Sequence, residues 1–194
     1  YLGTNQVQNL LIQLTIPAKA SVTLRLIKGG LKSAVTKTYC RFVPERKDDF
    51  AWENDKIAFR MYGKALEKFP NEMAYGVDVW VKRTAGLVID KRYAAGKYHI
   101  DNGDGLDYYH VGRTLGAGGI APYINDTIWY SKNYREWKIL DNGPLRSTFQ
   151  LTYDEWNVPG KIVTAVKTIS LDAGSQLNRT VVNFEWSAGG TLPV

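Results

Sequence analysis

A chain of 194 residues, 44% of them hydrophobic, fits one domain with an ordinary globular core. The formal net charge of +6 suits an anionic partner, but no Lys/Arg-rich block, zinc spacing or helical recognition pattern points to nucleic acid. No apolar run approaches the roughly 20 residues of a membrane span, and a lone cysteine, Cys40, leaves neither a disulfide framework nor a Cys-based zinc site.

The chain has no clear strand signal before Leu10. Val22, Leu24 and Leu26 then alternate with Thr23 and Arg25, which predicts a first strand. The run Val35–Val43 reads as a second strand, with Cys40 as a buried, inert thiol rather than a nucleophile. Lys47–Lys56 reads as a helical turn or an ordered loop. A strand at Ala58–Tyr62 places Arg60 and Tyr62 on one face and Phe59 and Met61 on the other. An arginine beside a tyrosine on a sheet face can fork onto a carboxylate or sulfate, or belong to an internal ion-pair network with Glu53, Asp48 or Asp49. Lys64–Phe69 reads as a short helix.

Val77, Val79 and Val81 alternate with Asp78, Trp80 and Lys82. The valines form a core face. The opposite face holds an acid, a large ring and a base, which is either a sugar-binding set or the second buried face of a double-layered sandwich. The segment from Lys97 to Arg113 contains both histidines, His99 and His110. Alternation groups His99 with Lys97 and Asp101, a histidine–aspartate pairing suited to proton transfer, and turns Tyr109 and His110 to opposite faces. Asp101, Asp104 and Asp107 sit in a glycine-rich turn that is either a calcium loop or a plain tight turn. Gly112–Gly119 lacks the spacing of a dinucleotide fingerprint and reads as close backbone packing or a bend between sheets.

Two further runs alternate towards the end: Phe149, Leu151 and Tyr153 with Thr148, Gln150 and Thr152, and Val182, Phe184 and Trp186 with Val181, Asn183 and Glu185. Turn signals at Gly29-Gly30, Asn102-Gly103, Asn142-Gly143-Pro144, Pro159-Gly160 and Asp172-Ala173-Gly174 separate the runs. Many strands with few helices predict an all-β fold of antiparallel sheets, a sandwich or barrel. The 6 Trp, 12 Tyr and 6 Phe suit pleated sheets and also suit sugar stacking. The pattern looks unfinished at both ends, so residues 1–194 are expected to form a single β-sandwich domain that is a fragment of a longer one. No Gly-x-Ser-x-Gly elbow, phosphate loop or His-Glu-x-x-His motif is present.

Several blocks together resemble a known family. They are Pro44-Glu-Arg-x-Asp-Asp-Phe-Ala-Trp-Glu-Asn54, Phe59-Arg-x-Tyr-Gly63, Asp78-x-Trp-x-Lys-Arg83, Tyr98-His99, Gly103-x-Gly-x-Asp-x-Tyr-x-Val-Gly112, Gly143-Pro-x-Arg146 and Ile169-Ser-Leu-Asp-Ala-Gly174. The resemblance is to a bacterial domain-of-unknown-function family of polysaccharide-utilisation systems, similar to the galactose-mutarotase-like β-supersandwiches and including an ulvan oligosaccharide dehydratase. It implies a galactose-mutarotase-like supersandwich, a periplasmic or extracellular location and a role in polysaccharide breakdown.

The function expected on that basis is a carbon–oxygen lyase or dehydratase eliminating at a uronic acid residue. The partner is an acidic oligosaccharide or polysaccharide. His99 and Tyr109 are the candidates for base and acid, and Arg60 or Lys82 for neutralising the carboxylate. Trp80 is assigned stacking, Glu53 and Arg46 orientation, and Tyr62, Asp78, His110 and Arg146 substrate contact. No cofactor is expected to be required, beyond a structural calcium at Asp101, Asp104 and Asp107. The alternatives are a non-catalytic carbohydrate-binding domain, which does not need His99, and a glycoside hydrolase using two of the acids.

Overall fold

The computed structural model describes residues 10–27, 34–96, 99–108 and 110–194. It is an antiparallel β-sandwich. One layer is a five-stranded meander of β1 (Thr38–Val43), β2 (Asp49–Asn54), β3 (Ile57–Met61), β4 (Val77–Lys82) and β5 (Gly105–Asp107), paired in chain order. The short ribbon β6 (Tyr123–Ile124) and β7 (Thr127–Ile128) follows. The second layer is β8 (Glu136–Asn142), β9 (Arg146–Val158), β10 (Lys161–Asp172) and β11 (Arg179–Trp186), in the order β11-β10-β9-β8.

The sandwich core follows from alternation. Phe50, Trp52, Phe59, Met61 and Val77 of the first layer meet Phe149, Leu151, Tyr153, Ile169 and Leu171 of the second. Phe50 stacks on Phe149 with ring centres 4.3 Å apart, and Trp52 on Phe59 at 5.5 Å. Each such side chain contributes about 1.5–3 kcal/mol by leaving water. Cys40 is fully buried here, and burial pushes its thiol up to about 12, as suits an inert side chain.

The five-stranded sheet is also covered on its outer face. Helix α1 (Ile89–Ala95) lies there, and Ile89 and Tyr93 pack with Val43, Ala51, Ala58 and Trp80. Alternation gave no sign of α1, because its seven residues span too little to establish a period. The helix ends at Gly96, whose left-handed φ of 62° lets its N–H reach the carbonyls of Arg92 and Tyr93.

Three local expectations change. The stretch 47–56 is neither helical turn nor loop over most of its length: Lys47 and Asp48 turn the chain in left-handed conformation, and Asp49–Asn54 is a strand buried at every position. This strand is buried on both faces yet carries Asp49 and Glu53 inside, paired with Arg60 and Lys82, so its polarity imitates a loop. Val22–Leu26 forms no strand; Leu24 and Leu26 stay exposed without a sheet beneath them. On β4 the valine side is the less buried one, with Val81 exposed and Trp80 fully buried. Lys64–Lys68 does form a short 3-10 helix. Gly116, at φ 61°, packs against Val77, whose carbonyl oxygen lies 2.2 Å from where a Cβ would stand, so the glycine-rich run is close backbone packing. The Gly29-Gly30 turn lies outside the described residues.

Candidate functional site

Cross-strand register brings the polar residues of the first layer onto one face. Arg60 lies opposite Ala51 on β2 and Asp78 on β4, and Trp80 lies opposite Asp107 on β5. Arg60 is thereby ringed by three aspartates. Its guanidinium donates to Asp78 Oδ2 at 2.5 Å and stands 3.6 Å from both Asp49 and Asp107. Tyr93 OH donates to Asp49 at 3.2 Å, and Trp80 Nε1 to Asp78 at 2.9 Å. Burial alone would push Arg60 towards neutrality, but the aspartates hold it firmly protonated. Burial raises the Asp49 carboxyl to about 6, against the pull of Arg60 and Arg46. Asp78 is raised for the same reason.

This cluster floors an open cleft of about 420 Å³ lined by Arg46, Arg60, Tyr62, Asn71, Glu72, Ala74, His99, Asp107, Tyr108, His110 and Val111. His99 Nδ1 hydrogen-bonds Asp107 Oδ1 at 2.8 Å. A carboxylate on Nδ1 selects the tautomer whose lone pair is on Nε2, the arrangement of a proton-accepting histidine. Arg46 Nε stands 3.6 Å from Asp49 and Nη2 3.9 Å from Glu72. Tyr62 OH accepts from Arg60 Nη2 at 3.3 Å, and burial pushes its phenol well above the ordinary range, so it keeps its proton. The arrangement joins a proton acceptor, a protonated phenol and guanidinium charge in one cleft.

Of the residues singled out in sequence, Arg46, Arg60, Tyr62, His99, Asp107 and His110 line this cleft. Asp78 lies beneath it, 1% exposed, as a partner of Arg60 rather than a surface for ligand. Three others are turned away. Trp80 is fully buried, with the guanidiniums of Arg60 and Arg92 lying 5.3 and 5.6 Å from its ring centre, so no sugar reaches it. Lys82 Nζ is buried against Glu53 Oε2 and the Asn54 carbonyl, both at 2.6 Å. Glu53 is fully buried and also accepts the Val88 and Ile89 N–H groups at the start of α1. Lys82 and Glu53 therefore anchor the helix instead of meeting substrate. Arg146 is on the other layer, where it forks onto Asp172 at 2.5 and 2.8 Å. Tyr109 and Lys97 lie outside the described residues.

The aspartate partner of His99 is Asp107, not Asp101, because residues 99–101 form a turn rather than a strand. Asp101 instead accepts from the Gly103 and Gly105 N–H groups and pairs with Arg83. Asp104 pairs with Lys91 and Arg92. The three acids of that turn thus face three different sets of partners. Among the described residues no three His, Cys, Asp or Glu side chains converge as a metal site. Glu72 and Tyr108 also line the cleft; Glu72 lies in a segment with no period to read, and Tyr108 follows β5, whose three residues are too few to establish one.

The chain matches the family described as "Domain of unknown function (DUF4861)" over residues 3–191. It belongs to that family. It is also similar to a Formosa agariphila protein named "Uncharacterized protein P7", 37% identical over 201 residues, covering 94% of this chain. The chain spans 51% of that relative's length. No solved structure matches. Among the described residues no helix is long and apolar enough to cross a membrane.

Proposed function

We propose that this DUF4861 chain carries a cleft for an acidic oligosaccharide and acts there as a carbon–oxygen lyase, eliminating at a uronic acid residue. The observation that carries the reading is the His99–Asp107 pair opening on the same cleft as Arg46, Tyr62 and His110, above the buried guanidinium of Arg60. The relation to galactose-mutarotase-like supersandwiches, a role in polysaccharide utilisation and an extracellular or periplasmic location belong to this proposal.

The chemistry uses what lines the cleft. The uronate carboxylate sits by Arg46, with the fixed charge of Arg60 behind it, which stabilises the negative charge developing at C5 and the carboxylate. His99 Nε2 takes the C5 proton. The electron pair forms the C4–C5 double bond as the C4–O bond breaks. A phenol protonates the departing oxygen; of the two phenols in the described cleft, Tyr62 and Tyr108, the candidate is Tyr62, which lies beside Arg60, and Tyr109 is the other candidate. A glycosidic oxygen leaves as an alcohol, a free hydroxyl as water. No cofactor is needed for these steps.

The test incubates the full-length protein with uronate oligosaccharides while following the ultraviolet band of an unsaturated uronate and the product masses. Elimination gives the band and adds no water to the summed products; His99→Ala removes it. Products that gain water identify a hydrolase. Binding without any product, unchanged in His99→Ala, identifies a binding module. Either result overturns the lyase reading.

A further inference from the structure

Ligand clefts are lined by aromatic side chains together with a few placed polar groups, so an exposed ring is of interest where it also lines a cleft. Five aromatic side chains stand substantially exposed among the described residues: Phe69, Tyr108, Tyr123, Trp137 and Trp186. Four of them are engaged by the protein. The Lys47 ammonium lies 3.8 Å from the Phe69 ring centre, Tyr123 OH donates to Asp126, Trp137 stacks on Phe42, and Trp186 Nε1 donates to the Gly190 carbonyl. Tyr108 is the most exposed of the five, at 62%, and what reaches it is the charge of Arg83 rather than a ring contact or hydrogen bond to a described residue. It is also the one of the five that lines the cleft.

Its backbone is nonetheless well placed. Tyr108 directly follows Asp107, the last residue of β5, which lies opposite Trp80 and is held by His99 and Arg60. The phenol ring is therefore presented from an anchored strand end with only two side-chain torsions to fix, so binding on it loses little conformational entropy.

We propose that Tyr108 is the platform on which a sugar ring of the substrate stacks, its flat C–H face against the phenol ring. The inference rests on the reading of the cleft as an acidic-oligosaccharide site and sharpens it. Arg46 supplies attraction for charge, and Tyr108 supplies apolar contact with a ring. The cleft thus selects a carboxylate-bearing pyranose chain over a small carboxylate that has the charge and no ring. The role sequence reasoning gives to Trp80 falls to Tyr108, because Trp80 is sealed in the core.

The experiment measures binding of a uronate oligosaccharide to the full-length protein by calorimetry, with turnover followed in the same samples. Tyr108→Ala weakens binding tenfold or more, while Tyr108→Phe stays within twofold, because the ring and not the hydroxyl does the stacking. Acetate binds the wild type far more weakly than the oligosaccharide. Tyr108→Ala within twofold of wild type, Tyr108→Phe as weak as Tyr108→Ala, or acetate binding as tightly as the oligosaccharide overturns the proposal. Weakened binding in Tyr108→Ala from a protein that turns nothing over sinks the elimination and keeps the platform. Turnover with KM unchanged in Tyr108→Ala sinks the platform and keeps the elimination. No binding of the oligosaccharide to the wild type sinks both. A thermal unfolding midpoint close to wild type confirms that the exposed substitution leaves the fold intact.

Discussion

At one end of the outer face of the five-stranded sheet, Lys82 and Glu53 meet at 2.6 Å with both side chains fully buried beneath α1. At the other end, Arg60 meets Asp78, Asp49 and Asp107, and the same face opens into a cleft with His99 and Tyr108 exposed at its wall. Both ends are built from a base, acids and a large ring on alternate positions of neighbouring strands. The difference is the lid. Glu53 spends its oxygens on Lys82 and on the first N–H groups of α1, where an acid favours the positive end of the helix. Among the described residues α1 contributes none to the lining of the cleft above Arg60, so there the charges face the cavity. A polar face on a strand thus marks a site only where nothing caps it.

The comparison breaks most sharply at His99. Its side chain is 63% exposed, so His99→Ala lowers turnover by about 10²–10⁴-fold, the usual worth of a positioned proton acceptor. Chemical denaturation of the same variant shows stability within about 0.5 kcal/mol, as at other exposed positions. A large loss of stability places His99 with the sealed end instead.

Glu53→Gln has the opposite profile. It leaves the Lys82 ammonium buried without its carboxylate, which costs about 3–5 kcal/mol in a denaturant titration. Binding of an acidic oligosaccharide to the remaining folded protein is unchanged. A binding defect at full stability shows that the sealed end reaches the ligand after all.

Asp49 belongs to the Arg60 end and is tested by pH. Its folded value is raised from 3.8 to about 6, with burial as the largest cause. A raised folded value means protonation favours the fold. That contribution is fully present below 3.8 and is lost as pH rises through about 6. Relative to Asp49→Asn, the wild type therefore loses stability across that window, on the order of 3 kcal/mol for a shift of this size. A stability difference that does not move with pH shows that Arg60 and Arg46 balance burial, and one that moves in the wild type's favour as pH rises shows that they outweigh it.

The smallest effect belongs to the far layer. Arg146 is 39% exposed on its side chain and paired with Asp172, so Arg146→Ala costs about 0–1 kcal/mol. Oligosaccharide binding stays as in the wild type; weaker binding adds the second layer to the site.

Period-two alternation by itself determined the antiparallel β class, the face shared by Arg60 of β3 and Tyr62 just past its end, and the β4 face shared by Asp78, Trp80 and Lys82. That is a property of each strand alone, since successive side chains point to opposite sides. Which face is covered is not a property of one strand. The tertiary structure decided that α1 seals Trp80, Lys82 and Glu53, and that β2 is buried on both faces. It also decided that a turn carries His99 to Asp107 rather than to Asp101. These outcomes depend on register between strands and on segments too short or irregular to show a period, so only packing reveals them.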